Sequence, residues 1–192
     1  MSDQVRSFIA ILLPPVVKRG IYQFANPLQQ LPLDVKWVEK ENYHLTLKFL
    51  GSLTIEEIQK VKAFLQRFTA QVEPFYLKCG GLVVFPNQRR PRVLCLSLEG
   101  ETESVQSLWK AVESGLAQVG FPEEKRKKFH PHITLGRFRS AGDMHWEKIK
   151  AEAGSCSGEK FMVHELFLMA SKLTPMGPEY RDLARYSFQV KE

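Results

Sequence analysis

The 192-residue chain has little cysteine and no long hydrophobic run. Its three cysteines, Cys79, Cys95 and Cys156, are odd in number and far apart in sequence. That spacing excludes a disulfide framework and any Cys-x-x-Cys metal or redox motif. A reduced, cytoplasmic protein is the expectation. The apolar run 8–13 stops at Pro14 and Pro15, far short of the ~20 residues of a membrane helix, so no membrane association is expected. Met1-Ser2-Asp3 carries an acid where a secretory signal would carry basic residues. With 44% apolar and 25% charged residues, the composition excludes collagen, coiled coil and disorder. The length suits one domain, or two small lobes sharing a core.

What the chain has in excess is positive charge. Twenty-seven basic residues against 21 acidic ones give a net charge of +6, which favours anionic partners. The basic stretches 89–92 and 125–128 are either loops that follow an RNA backbone or simply solvated loops.

Patterning divides the chain into two similar halves. The run 8–13 reads as a buried strand. Pro14 and Pro15 suit a helix start, and Val17, Ile21, Phe24 and Leu28 recur at helical spacing, with Pro27 expected to end or kink that helix. Short strands are expected at 35–39 and 44–49, the second closed by Gly51. Thr54 and Glu57 form a capping box ahead of the stripe Ile58, Val61, Leu65 and Phe68. A strand follows at 75–85, broken at Gly80-Gly81. The second half repeats the order. It has a strand at 93–98, a helix marked by Val105, Leu108, Val112, Leu116 and Val119 and stopped by Gly120, and a strand at 132–138. A short helix at 143–153 and strands at 161–170 and 184–190 complete it. Phe8 and Val93 are 85 residues apart, His44 and His132 are 88 apart, and Tyr76 and Met162 are 86 apart. The inference is an internal duplication, approximately 7–86 and 92–173, plus a C-terminal strand at 184–190. All of it lies in a single α+β domain, 1–192, of two pseudo-symmetric lobes. Each lobe has an antiparallel sheet and flanking helices.

The matched strands carry the same tetrapeptide pattern. His44-Leu45-Thr46-Leu47 and His132-Ile133-Thr134-Leu135 both read His-x-Thr-x with apolar residues at x. Period 2 puts the histidine and threonine of each strand on one face and the apolar pair on the other. In pseudo-symmetric lobes the two polar faces would line opposite walls of one cleft. Two imidazoles suit the opening of a cyclic phosphodiester, which needs a base for water and an acid for the leaving oxygen. The threonine hydroxyls can hydrogen-bond phosphate oxygens as charge develops. No metal or other cofactor is required, and no histidine–carboxylate cluster of the zinc type stands near either motif. His130, His145 and His164 lack a matching motif and read as structural or surface residues.

The stretches 44–51 and 131–137, with the Ser7-Phe8-Ile9-Ala10 opening, resemble the two-histidine (2H) phosphoesterases. Within that superfamily the likeness is to the bacterial and archaeal RNA 2′,3′-cyclic phosphodiesterases, also called 2′-5′ RNA ligases, and covers nearly the whole chain. The resemblance implies a bilobal fold with the active site in a central groove. It implies hydrolysis of RNA 2′,3′-cyclic phosphate ends to 2′-phosphomonoesters, and reversible 2′-5′ joining. It implies His44 as proton donor and His132 as proton acceptor, an assignment the residues themselves leave open. Thr46, Thr134 and Arg137 would bind phosphate and Phe49 would contact a base. Strict alternation points Phe49 and Arg137 away from the cleft, so a bulge would have to turn them back. A monomer with no membrane contact is expected. The alternatives are a non-catalytic RNA- or nucleotide-binding module, and a phosphodiesterase for another small cyclic phosphate, such as ADP-ribose 1″,2″-cyclic phosphate, or for 2′-5′ oligoadenylate.

Overall fold

The computed structural model describes residues 4–125, 128–140, 146–153, 156, 160–175 and 177–189. Strand β1 (Val5–Leu12) leads through Pro14 into helix α1 (Pro15–Gln29). Pro27 sits in the last turn of that helix, which runs on to Gln29 because Leu28 is fully buried beneath it. The short strand β2 (Val35–Trp37) and a 3-10 turn (Lys40–Asn42) precede β3 (His44–Leu53). This strand does not stop at Gly51, which takes a positive φ of 77° and lets pairing continue. Helix α2 (Ile55–Thr69) has the expected capping box: Thr54 Oγ1 accepts from Glu57 N, and Glu57 Oε2 accepts from Thr54 N. Next come β4 (Phe75–Phe85), β5 (Val93–Gly100), α3 (Thr102–Gln118), β6 (His132–Phe138), α4 (Trp146–Ala153), β7 (Phe161–Val163), β8 (Glu165–Thr174) and β9 (Gly177–Ser187).

The strands form two sheets, in the orders β3-β1-β8-β9 and β2-β6-β5-β4-β7. Every pairing is antiparallel. The sheets do not divide at the middle of the sequence. Each opening strand, β1 or β5, is flanked by the histidine strand of its own half and by a strand from the other half, β8 or β4. One large apolar cluster spans both sheets and the buried faces of α1, α2, α3 and α4.

The final strand differs from the expected 184–190. It starts at Gly177 and ends at Ser187, and it forms a hairpin with β8 in which Thr174 faces Gly177. As an edge strand it pairs on one side only. Its first half, Pro178-Glu179-Tyr180-Arg181-Asp182, therefore lacks the apolar signature of a buried strand. Val190, His145, residues 143–145 of the expected short helix, and Arg126 and Lys127 of the second basic stretch lie outside the described residues. Among the described residues no helix is long and apolar enough to cross a membrane.

Candidate active site

The two histidine strands approach one another, β3 from the first sheet and β6 from the second. A cavity of about 710 Å³ opens there, lined by His44, Thr46, His132, Thr134, Phe49 and Arg137. The structure thus brings together all six side chains singled out in the sequence. Leu45, Leu47, Ile133 and Leu135 point the other way and are fully buried.

Phe49 and Arg137 reach the cavity through a pair of matching bulges. In β3, Thr46 faces Ala10 and Lys48 faces Ile9, so Leu47 is the extra residue. In β6, Thr134 faces Cys95 and Gly136 faces Leu94, so Leu135 is the extra residue. Each bulge reverses the alternation beyond it. Lys48 goes into the core, and Phe49, 56% exposed, moves to the histidine face. Gly136 is required at the second bulge, because a Cβ there would collide with Val35 of β2.

Both imidazoles are anchored in the same way. His44 Nδ1 donates to Asn42 O at 2.6 Å, and His132 Nδ1 donates to His130 O at 2.6 Å. A backbone carbonyl two residues back therefore sets the tautomer of each ring. Nε2 becomes the proton-exchanging atom of both. An aromatic ring supports each one: Phe8 lies 5.1 Å from His44 and Phe85 lies 5.0 Å from His132, centroid to centroid. Tyr180 meets His44 edge-on at 5.2 Å. Burial holds His44 below the ordinary imidazole pKa. The Asn42 hydrogen bond opposes that shift, while Lys18 and His132 reinforce it. Arg6, Lys36 and Arg137 also line the cavity, against Glu39 and Glu179, so the wall favours an anion.

The stretch 89–92 and the described ends of the stretch 125–128, Lys125 and Lys128, are not in this wall. Arg89 lines a separate hollow with Trp146 and Lys150, and its backbone N, like that of Arg90, donates to Asn87 Oδ1. Lys125 and Lys128 are exposed. Sequence reasoning missed Tyr180, Phe85 and the two carbonyl anchors. Tyr180 lies in a polar stretch, and a carbonyl leaves no trace in residue type. Among the described residues no group of three or more His, Cys, Asp or Glu side chains is placed to hold a metal.

A family model described as LigT-like phosphoesterase matches the chain twice, over residues 11–95 and 96–180. A Bacillus subtilis protein named RNA 2′,3′-cyclic phosphodiesterase is 31% identical over 181 residues, which cover 93% of this chain and 94% of the relative. One of the same name from Aquifex aeolicus is 33% identical over 179 residues, 92% of this chain and 93% of that one. Among solved structures, TT0787 of Thermus thermophilus superposes with a TM-score of 0.81 at 27% identity, covering 95% of this chain and 97% of that one. Escherichia coli LigT complexed with 3′-AMP superposes with a TM-score of 0.79 at 24% identity, covering 97% and 99%, which bears on the fold alone.

Proposed function

The chain belongs to the LigT-like phosphoesterase family, and we propose that it hydrolyses RNA 2′,3′-cyclic phosphate ends to 2′-phosphomonoesters by acid–base catalysis at His44 and His132. The observation that carries this reading is the pair of identically anchored imidazoles facing one cavity. The relatives' name supports the substrate.

In this reaction His132 Nε2 takes a proton from water as the water oxygen attacks phosphorus. The P–O3′ bond breaks, and His44 Nε2 delivers a proton to the departing 3′ oxygen. Thr46, Thr134 and Arg137 hold the non-bridging oxygens as negative charge builds there. Phe49 offers a ring to the base. The two histidines supply both proton transfers, so the step needs no metal. Attack by a 5′-hydroxyl in place of water is the corresponding 2′-5′ joining reaction. The enzyme acts on RNA as a monomer in the cytoplasm, with no membrane involved.

The same reading takes the single domain, 1–192, as a duplication of approximately 7–86 and 92–173 whose last strands, β4 and β8, exchange sheets. The 88-residue spacing recurs in the histidines, the threonines, the bulged leucines and the carbonyl anchors Asn42 and His130, and this supports it.

The test is product analysis with adenosine 2′,3′-cyclic phosphate, a 2′,3′-cyclic RNA end and 2′-5′ oligoadenylate in excess EDTA. The expected product is the 2′-phosphate from the first two. Turnover that stops in EDTA and returns with a divalent ion contradicts the mechanism. Turnover of 2′-5′ oligoadenylate alone contradicts the substrate.

A further inference from the structure

The carbonyls next to those that hold the two histidines are braced, and by residues at matching places. On α1, Lys18 Nζ donates to Glu41 O at 2.6 Å. Glu41 O is the carbonyl next to Asn42 O, the anchor of His44. On α3, Gln106 Nε2 donates to Phe129 O, the carbonyl next to His130 O, the anchor of His132. Lys18 and Gln106 are separated by the same 88 residues as His44 and His132. Each sits in the first turns of the helix that follows its half's opening strand. The first brace is reinforced by Asn42 Nδ2, which donates to Pro178 O of β9 at 3.3 Å. The second is reinforced by Trp109, which stacks on Phe129 at 5.5 Å.

The two braces match in position and differ in charge. We propose that Lys18 and Gln106 are twin positioning residues of the two histidine cradles. An ammonium behind one ring and an amide behind the other divide the labour, with proton release at His44 and proton uptake at His132.

The effect is electrostatic. A cation behind a protonated imidazole destabilises that form and makes it a stronger acid. A neutral amide braces the carbonyl equally well and leaves its imidazole the better base. This matches the direction found at His44, where Lys18 adds to the effect of burial. The other titratable groups around His44 are His132 from β6 and Tyr180 from β9. Arg6, Lys36, Glu39, Arg137 and Glu179 are on the cavity wall. Burial holds Lys18 itself below the ordinary lysine range, and Glu41 and Asp182 oppose that shift by favouring its charged form. Beside His132 lie His130, which shares the Phe85 ring, and Arg137 on the same strand. The inference rests on the proposed acid and base roles, and its test is kept separate from turnover.

Histidine midpoints are read by NMR titration of the Cε1–H signals without substrate, in wild type, Lys18→Gln, Lys18→Arg and Gln106→Lys. Lys18→Gln keeps a donor and removes the charge, so the His44 midpoint should rise by roughly 0.3–1 pH unit while that of His132 stays put. Gln106→Lys should lower the His132 midpoint. Lys18→Arg keeps both charge and donor and should retain the wild-type His44 midpoint, which a role in folding alone would not require. A His44 midpoint that does not move in Lys18→Gln, or a His132 midpoint that does not move in Gln106→Lys, overturns the proposal; either variant alone suffices. Midpoints that move as described in a protein that fails to turn over any 2′,3′-cyclic phosphate would uphold the electrostatics and count against the proposed function alone.

Discussion

Lys48 Nζ lies 2.5 Å from Glu113 Oε2, with both side chains almost fully buried. The pair joins β3, the strand of His44, to α3, the helix ahead of His132. It reaches further, since Lys48 Nζ also donates to Pro122 O at 2.9 Å and Glu113 Oε2 accepts from Glu124 N at 2.9 Å. Strand β3 and the segment that leads towards His132 are thus tied through a buried ion pair on the far side of the bulge that delivers Phe49.

Removing one partner leaves the other charged and stranded in the core. Glu113→Ala or Lys48→Met should each cost about 3–5 kcal/mol, and the double change to apolar residues should recover much of that loss. Urea denaturation of the two single variants and the double variant checks this. Additive losses would mean that the pair is not coupled.

The threonine hydroxyls should act on turnover and not on folding. Thr46→Val and Thr134→Val keep the shape and remove the donor, with an expected loss of ~10²-fold in kcat for either. Full activity in both variants, at unchanged melting temperature, would make the hydroxyls structural.

The cavity wall holds Arg6, Lys36 and Arg137, whereas the stretch 89–92 and the described ends of the stretch 125–128 lie outside it. Binding of an RNA oligomer should therefore weaken steeply with salt only if those outer loops take part. Affinity is measured from low to high salt for an oligomer and for a mononucleotide 2′,3′-cyclic phosphate. The expected result is a steeper slope for the oligomer. Equal slopes would confine recognition to the cavity.

Much of this architecture was legible in the sequence. Recurring order and offsets suggested a duplication, and the paired His-x-Thr-x strands pointed to one cleft, where His44, Thr46, His132 and Thr134 do line a single cavity. Period-2 reasoning placed His44 and Thr46 correctly but would put Lys48 beside them and Phe49 in the core. The bulge at Leu47 exchanges those two, and a bulge is a property of strand pairing, which no single strand displays. The same holds for the swapped positions of β4 and β8, since local pattern says where a strand is and not which strand it joins. The anchors of His44 and His132 are carbonyls of Asn42 and His130, invisible in any residue-type pattern. Cys79 and Cys95 are buried free thiols.

The division of roles between the histidines is tested most directly by pH–rate profiles of wild type, His44→Ala and His132→Ala on a 2′,3′-cyclic nucleotide. Wild type should give a bell, and either replacement should cost ~10²–10⁴-fold. His132→Ala retains only the need for a protonated His44. Its rate should therefore fall as pH rises, with a midpoint below the ordinary imidazole value of about 6.5, because burial lowers that of His44. His44→Ala retains only the need for a neutral His132, so its rate should rise with pH to a plateau, and a substrate with a better leaving group should partly restore it. Rescue of His132→Ala instead, with the two limbs exchanged, would contradict the assignment. Near wild-type rates in both variants would contradict acid–base catalysis by this pair.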